Sequence, residues 1–158
     1  MNTRVSKSLM VGSVPDSQRL QEEIRIVNQH FVGFTMRSSA DPGVRALVTG
    51  ELETFKHTRY GIMVVAPREY PHALPVVLPM GWVPRRNPHM LSSNGEPVAL
   101  CLMKASQWNA AMSLAFVIAK AALWLNKYEV WCDRGIWPGR EQHEHGLVYD
   151  IRKWWHEL

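Results

Sequence analysis

The chain has 158 residues, of which 46% are hydrophobic and 20% are charged. These values are typical of a globular domain and unlike those of a disordered chain. The formal net charge is +4, but the basic residues are scattered, which argues against nucleic acid as a partner. No apolar stretch approaches the roughly 18 residues of a membrane span, and two cysteines are too few for a disulfide scaffold. We expect a single cytoplasmic domain over residues 1–158, with no membrane contact.

A helical period appears after a polar N-terminal stretch. Residues 1–13 show no regular pattern and are expected to be disordered. Ser13 can cap a helix and Pro15 suits its first turn. Beyond them, apolar residues recur at the spacing of one helix face: Leu20, Ile24, Val27 and Phe31.

The period then changes to that of β-strands. Alternating or apolar runs predict four strands, at residues 32–36, 44–52, 60–65 and 76–78. Pro67 is expected to end the third strand, because proline has no N–H for a ladder. One helix followed by an antiparallel meander indicates an α+β fold.

Residues 80–108 lack a clear period and contain three prolines. Structureless loops longer than about 15 residues are uncommon in compact domains and are usually functional. We therefore predict the functional site in this segment.

A second helix is predicted to begin after Ser113, a good N-cap residue. Apolar residues hold the helical period: Leu114, Val117, Ile118, Ala121, Leu125 and Tyr128. Residues 129–146 are predicted to form a loop, and residues 147–158 a last helix.

Four motifs occur in the order found in ubiquitin-conjugating enzymes. Tyr70-Pro71-His72-Ala73-Leu74-Pro75-Val76-Val77 resembles the family signature Tyr-Pro-x-x-x-Pro-x-Val. An Asn94-Gly95 turn, the run Leu100-Cys101-Leu102 and a Trp-containing helix start (residues 108–114) follow, as they do in that family. The resemblance covers residues 15–127. It implies a UBC-like fold: an N-terminal helix, a four-stranded antiparallel meander, an active-site loop, a central helix and a C-terminal helical or loop segment.

Residues in the C-terminal part of the chain indicate which branch of this fold the chain resembles. Residues 121–125, 128–129 and 135–139 are similar to the stand-alone conjugating enzyme of bacterial short type II CBASS antiphage systems. That likeness implies a bacterial cytoplasmic protein of antiviral defence. The expected partners are a cGAS-like nucleotidyltransferase, whose C-terminus would be the acyl donor, and a lysine-bearing target protein. No cofactor is implied.

Cys101 is the predicted catalytic nucleophile. Conjugation needs a thiolate that accepts an acyl group and then loses it to an amine. Attack on an already activated acyl donor does not require a neighbouring base. A cysteine between two leucines is often an inert core residue, but the surrounding motifs favour catalysis. Cys132 has no motif around it and is interpreted as either structural or merely exposed.

The resemblance also implies a supporting role for His89, twelve residues before the cysteine. In the family, a His-Pro-Asn tripeptide supplies an asparagine that stabilises the oxyanion. If His89 matches the family histidine, Leu91 fills the asparagine position. This departure supports an alternative, in which the chain is a non-catalytic UBC-like protein-binding module. Four residues are predicted to line the binding site: Trp108, Asn94, His143 and His145.

The pair His143 and His145 also resembles half of a deubiquitinase zinc site. The aspartate that would complete it should follow about ten residues later, and Asp150 comes too early. No metal site is therefore predicted. The two histidines are instead placed beside Trp137, where they could shape a pocket next to Cys101.

Overall fold

The computed structural model describes residues 8–138. The fold is α+β, with a four-stranded antiparallel sheet, a two-stranded sheet and two main helices. In chain order the elements are α1 (Asp16–His30), β1 (Thr35–Arg37), β2 (Val44–Glu53), β3 (Arg59–Pro67), β4 (Val76–Met80), β5 (Met90–Ser93), β6 (Glu96–Leu100) and α2 (Leu114–Arg134). Within residues 8–138, no helix has both the length and the apolar character needed to cross a membrane. The helix predicted at residues 147–158 lies outside the described residues.

The predicted four-stranded meander is confirmed, with strand order β1-β2-β3-β4 and antiparallel pairing throughout. Side chains of β2 and β3 alternate between a fully buried and a half-buried face. The buried face joins the core formed with α2, whose N-terminal half is buried almost all round. The first strand begins later than predicted, at Thr35, because residues 32–33 form a turn in which Gly33 has φ of 90°.

The two prolines of the sheet occupy tolerated positions. Pro67 is the last residue of β3, as predicted. Pro79 was expected to lie beyond the fourth strand, but it is inside β4 and pairs with Ile62. Because β4 is an edge strand with one neighbour, it can include a residue without an N–H.

The buried face of α1 differs from the predicted apolar stripe. Leu20, Ile24 and Phe31 pack only at the margin of the core. The buried residues of this helix are Arg19, Glu23, Ile26 and Val27. The helix begins at Asp16 after Pro15, with no side-chain cap, so the predicted cap by Ser13 is wrong.

Part of the N-terminal stretch that was expected to be disordered is packed. Leu9 and Val11 are buried in the core. The Val11 N–H donates to the Ala111 carbonyl at 2.7 Å, and Met10 forms a β-bridge with Met112. The expectation of disorder was wrong for these residues, because burial of their apolar side chains offsets the entropy of ordering them.

The segment 80–108 also contains regular structure that its sequence did not predict. Strands β5 and β6 form an antiparallel hairpin. Asn94 and Gly95 both have positive φ, of 52° and 81°, which the two-residue turns of β-hairpins favour. A short 3₁₀-helix follows at Ala105–Gln107.

Helix α2 begins as predicted but continues further. The Ser113 hydroxyl accepts a hydrogen bond from the Phe116 N–H at 3.0 Å. The helix ends at Gly135, which has φ of 71°. The loop predicted from residue 129 was wrong up to Arg134. Glu129 faces the protein interior and accepts hydrogen bonds from Thr54 and Tyr60, at 2.9 and 3.0 Å.

Candidate active site

Cys101 follows β6 directly and lies between that strand and the 3₁₀-helix. Its free thiol belongs to a half-buried residue. Met90 and Leu100 are paired at the base of the hairpin, so the residues on either side of it come together. The Cys101 N–H accordingly donates to the His89 carbonyl at 3.0 Å. The backbone of the predicted nucleophile is therefore fixed by the hairpin.

Burial raises the pKa of the Cys101 thiol above its ordinary value. Even an ordinary thiol is only a few per cent ionised at neutral pH. The resting cysteine is therefore overwhelmingly neutral, and it suits attack on an activated acyl donor better than attack on an amide.

His89 lies next to Cys101, and each part of the residue has a partner. Its carbonyl accepts from Cys101 and also from the Trp124 indole N–H, which lies 3.0 Å away. Its own N–H donates to the Asn87 side-chain oxygen at 2.9 Å. The imidazole stacks on Trp137, with ring centroids 4.3 Å apart. The side chain thus packs, while the backbone makes the hydrogen bonds that reach the cysteine.

The electrostatic setting of His89 favours the neutral imidazole. Burial and the positive charge of nearby Lys127 both lower its pKa below the ordinary value near 6.5. At neutral pH the ring therefore carries no charge, and it supplies no positive charge to an oxyanion.

The segment that leads to His89 is held against α2 at a second point. The Arg85 N–H donates to the Tyr128 hydroxyl at 2.8 Å. The Arg85 guanidinium lies over the Trp131 ring, 5.4 Å from its centroid. Residues 85–89 thus form one wall of the site, attached to the helix at both ends.

The other predicted binding residues lie at different distances from Cys101. The Trp108 indole N–H donates to the Pro71 carbonyl at 2.8 Å, which ties the segment after the cysteine to the loop after β3. Asn94 is at the tip of the hairpin, at the opposite end from Cys101. The positive φ of Asn94 is explained by its place in the hairpin turn. A binding role for Asn94 stays a prediction. His143 and His145 lie outside the described residues.

The second cysteine has a different environment. Cys132 lies on the last turn of α2 and packs against the hydrophobic core. This packing favours a structural role for Cys132 over a merely exposed position.

Two kinds of catalytic group are absent from the described part of the site. Leu91, which was expected at the asparagine position if His89 matches the family histidine, lies in β5 and has no polar side-chain atom. Between residues 8 and 138, no three His, Cys, Asp or Glu side chains come close enough together to hold a metal ion.

Sequence reasoning missed Trp124 as a contact of the site. Trp124 lies in α2 and is only 4% exposed, so it reads as an ordinary core residue. The available signal was chemical: a buried indole N–H needs an acceptor. Which acceptor it finds depends on how the hairpin packs on α2.

Comparison with known proteins assigns the chain to a family. No curated protein matches it significantly in sequence. A family model described as "Type II CBASS E2 protein" matches residues 23–144. The match covers most of the chain and includes Cys101, His89 and all of α2. The chain therefore belongs to the family of type II CBASS E2 proteins.

Proposed function

We propose that the protein is a cysteine-dependent acyl transferase with a UBC-like fold, in which Cys101 carries the acyl group as a thioester. Family membership supports a conjugating enzyme. The observation that carries the assignment to Cys101 is its place at the base of the β5–β6 hairpin, with its N–H bound to the His89 carbonyl. Cys132, packed on a helix, has no comparable position.

The proposed chemistry has two steps. The Cys101 thiolate attacks the carbonyl of an activated acyl donor, either a thioester or a mixed anhydride. The C–S bond forms, and the thiolate or phosphate of the donor leaves. An amine then attacks the Cys101 thioester, which forms an amide, releases the cysteine as thiolate and gives up one proton to solvent. The activated donor must be supplied by another protein.

The family match supports a partner within a CBASS system. In our proposal the acyl donor is the activated C-terminus of a cognate cGAS-like nucleotidyltransferase, and the acceptor is a lysine of a target protein. If no lysine reaches the thioester, the product is a captured nucleotidyltransferase rather than a conjugate.

A non-catalytic binding module is the second candidate, and one observation favours it. Leu91 supplies no hydrogen-bond donor for the tetrahedral oxygen. Loss of one such donor typically lowers kcat by a factor of about 10²–10³. In this alternative the site only holds the C-terminal peptide of the partner.

Co-expression with the proposed cGAS-like nucleotidyltransferase, together with a protein that activates the C-terminus of that partner, tests the proposal. We expect a larger species on a non-reducing gel that disappears with reductant, because thiols exchange with thioesters. Cys101→Ser should give a species that survives reductant, because an oxyester resists thiols, or give none. Cys101→Ala should abolish it, and removal of the last residues of the partner should have the same effect.

Cys132→Ser is the matched control and should leave the adduct unchanged. An adduct that persists in Cys101→Ala would place the nucleophile elsewhere. Tight binding of the two proteins without any adduct would support the binding module instead.

A further inference from the structure

Three tryptophans of the described structure donate their indole N–H to a backbone carbonyl. Trp82 donates to Gly61 in β3, Trp108 to Pro71 and Trp124 to His89, at 2.8, 2.8 and 3.0 Å. Only the acceptor of Trp124 also binds the backbone of Cys101. This single carbonyl joins helix α2 to the cysteine.

The donor side of this bond is rigid. The Trp124 ring stacks on Tyr128, with centroids 5.1 Å apart and planes at 12°, and also packs against Trp137. Trp137 in turn stacks on the His89 ring. The acceptor residue is therefore held by its ring as well as by its carbonyl, and both contacts come from α2 or the residues just after it.

We propose that Trp124 is a positioning residue for Cys101, acting through the His89 carbonyl. The inference rests on the proposed function of Cys101 and adds a residue to that same site. The indole N–H fixes the carbonyl, and the carbonyl fixes the Cys101 N–H, so the thiol keeps one half-buried position relative to the wall formed by residues 85–89. Catalysis gains when a nucleophile is held close to its attack geometry.

Loss of this bond should have opposite effects on two reactions of the thiol. A small alkylating reagent needs only access, so a loosened and better hydrated cysteine should react faster. Acyl transfer from a protein needs a fixed thiol, so it should become slower. A general loss of stability would not produce this pair of opposite changes at temperatures where both variants stay folded.

The test compares Trp124→Phe with Trp82→Phe. Both variants lose one indole N–H bound to a backbone carbonyl, and both tryptophans contact Tyr128. Trp82 is the matched control because the carbonyl that accepts its indole N–H belongs to Gly61 in β3, away from the cysteine. The readouts are the rate of Cys101 alkylation by iodoacetamide against pH, the rate of thioester formation and the melting temperature.

For Trp124→Phe we expect alkylation at neutral pH to rise, and thioester formation to fall, by about three- to tenfold, the size expected for one net hydrogen bond. The midpoint of the alkylation profile should move to lower pH. Trp82→Phe should lower the melting temperature similarly without these changes. If Trp124→Phe fails to fold, benzothienylalanine at position 124, which replaces the N–H by sulfur and keeps the ring shape, gives the same comparison.

Equal effects in the Trp124 and Trp82 variants, or no change in alkylation of the Trp124 variant, would overturn the proposal. The alkylation measurement uses the free protein and needs no acyl donor. If wild type shows no thioester while the alkylation contrast holds, the transferase function fails and the positioning role stands.

Discussion

The carboxylate of Glu23 and the backbone N–H of Leu114, 91 residues apart, are joined by a hydrogen bond of 2.8 Å. Glu23 is fully buried, and its other oxygen accepts from Arg19 at 2.9 Å and from the Tyr70 hydroxyl. Helix α1 thus holds the first residue of α2, directly after the segment that contains Cys101.

The Arg19 guanidinium adds further hydrogen bonds between α1 and the segment that precedes α2. Arg19 donates to the carbonyls of Ala110 and Met112, at 2.7 and 2.9 Å. These residues link the active-site segment to α2. A buried ion pair with several additional hydrogen bonds costs desolvation but fixes one arrangement of the groups it joins.

Removal of the buried carboxylate should be strongly destabilising. Glu23→Ala leaves the Arg19 guanidinium buried without its counter-ion, and such changes typically cost about 3–5 kcal/mol. Chemical denaturation measures this difference. Glu22→Ala is the control, because Glu22 pairs with Arg25 on the exposed side of the same helix and should cost less than about 1 kcal/mol. Similar losses in both variants would show that the buried network does not stabilise the fold.

Cys101 should react with a mild thiol reagent before Cys132. Both residues are half-buried, so exposure alone does not separate them. Cys132 lies within a helical turn and packs against the core, whereas Cys101 lies in an irregular segment. Limited alkylation followed by mass spectrometry gives the order. Preferential labelling of Cys132 would move the candidate site to the end of α2.

The reactivity of Cys101 should increase with pH into the alkaline range. Burial raises its pKa, so the midpoint of the alkylation profile should lie above the value near 8.5 of free cysteine. The same protein unfolded in urea is the reference and should show the ordinary midpoint. A folded-state midpoint below that of the unfolded chain would mean that the thiolate, not the thiol, is stabilised.

The neutral state of His89 should make stability depend on pH. Its pKa is lower in the folded than in the unfolded state, so its stabilising contribution is present above about pH 6.5 and is lost as the pH falls through the folded value. His89→Phe keeps a ring against Trp137 and cannot titrate. We therefore expect the melting temperature to decrease more in wild type than in this variant when the pH falls from 7 into the acidic range.

The exposed His72 provides the control for that experiment. His72→Gln should follow the pH dependence of wild type. If the melting temperature of His89→Phe shows the same pH dependence as wild type, folding does not lower the pKa of His89.

The sequence by itself determined the elements that local chemistry specifies. Alternating apolar residues located β2 and β3, and the hydroxyl of Ser113 marked the start of α2. The Asn94-Gly95 pair identified a turn, because few other residue pairs adopt positive φ so readily. The motifs around Cys101 resembled those of ubiquitin-conjugating enzymes, and residues 121–139 pointed to the type II CBASS family that the comparison confirmed.

The tertiary structure decided the features that depend on distant partners. Arg19 and Glu23 look like residues of a solvated helix face. Their burial is made favourable by partners that are distant in the chain: Tyr70, Ala110, Met112 and Leu114. The strands β5 and β6 have four and five residues, too few to show a period. The pairing of these strands brings His89 next to Cys101 and places the His89 carbonyl within reach of the Trp124 indole N–H. The sequence could not predict these hydrogen bonds, because they depend on distance in space and not on spacing along the chain.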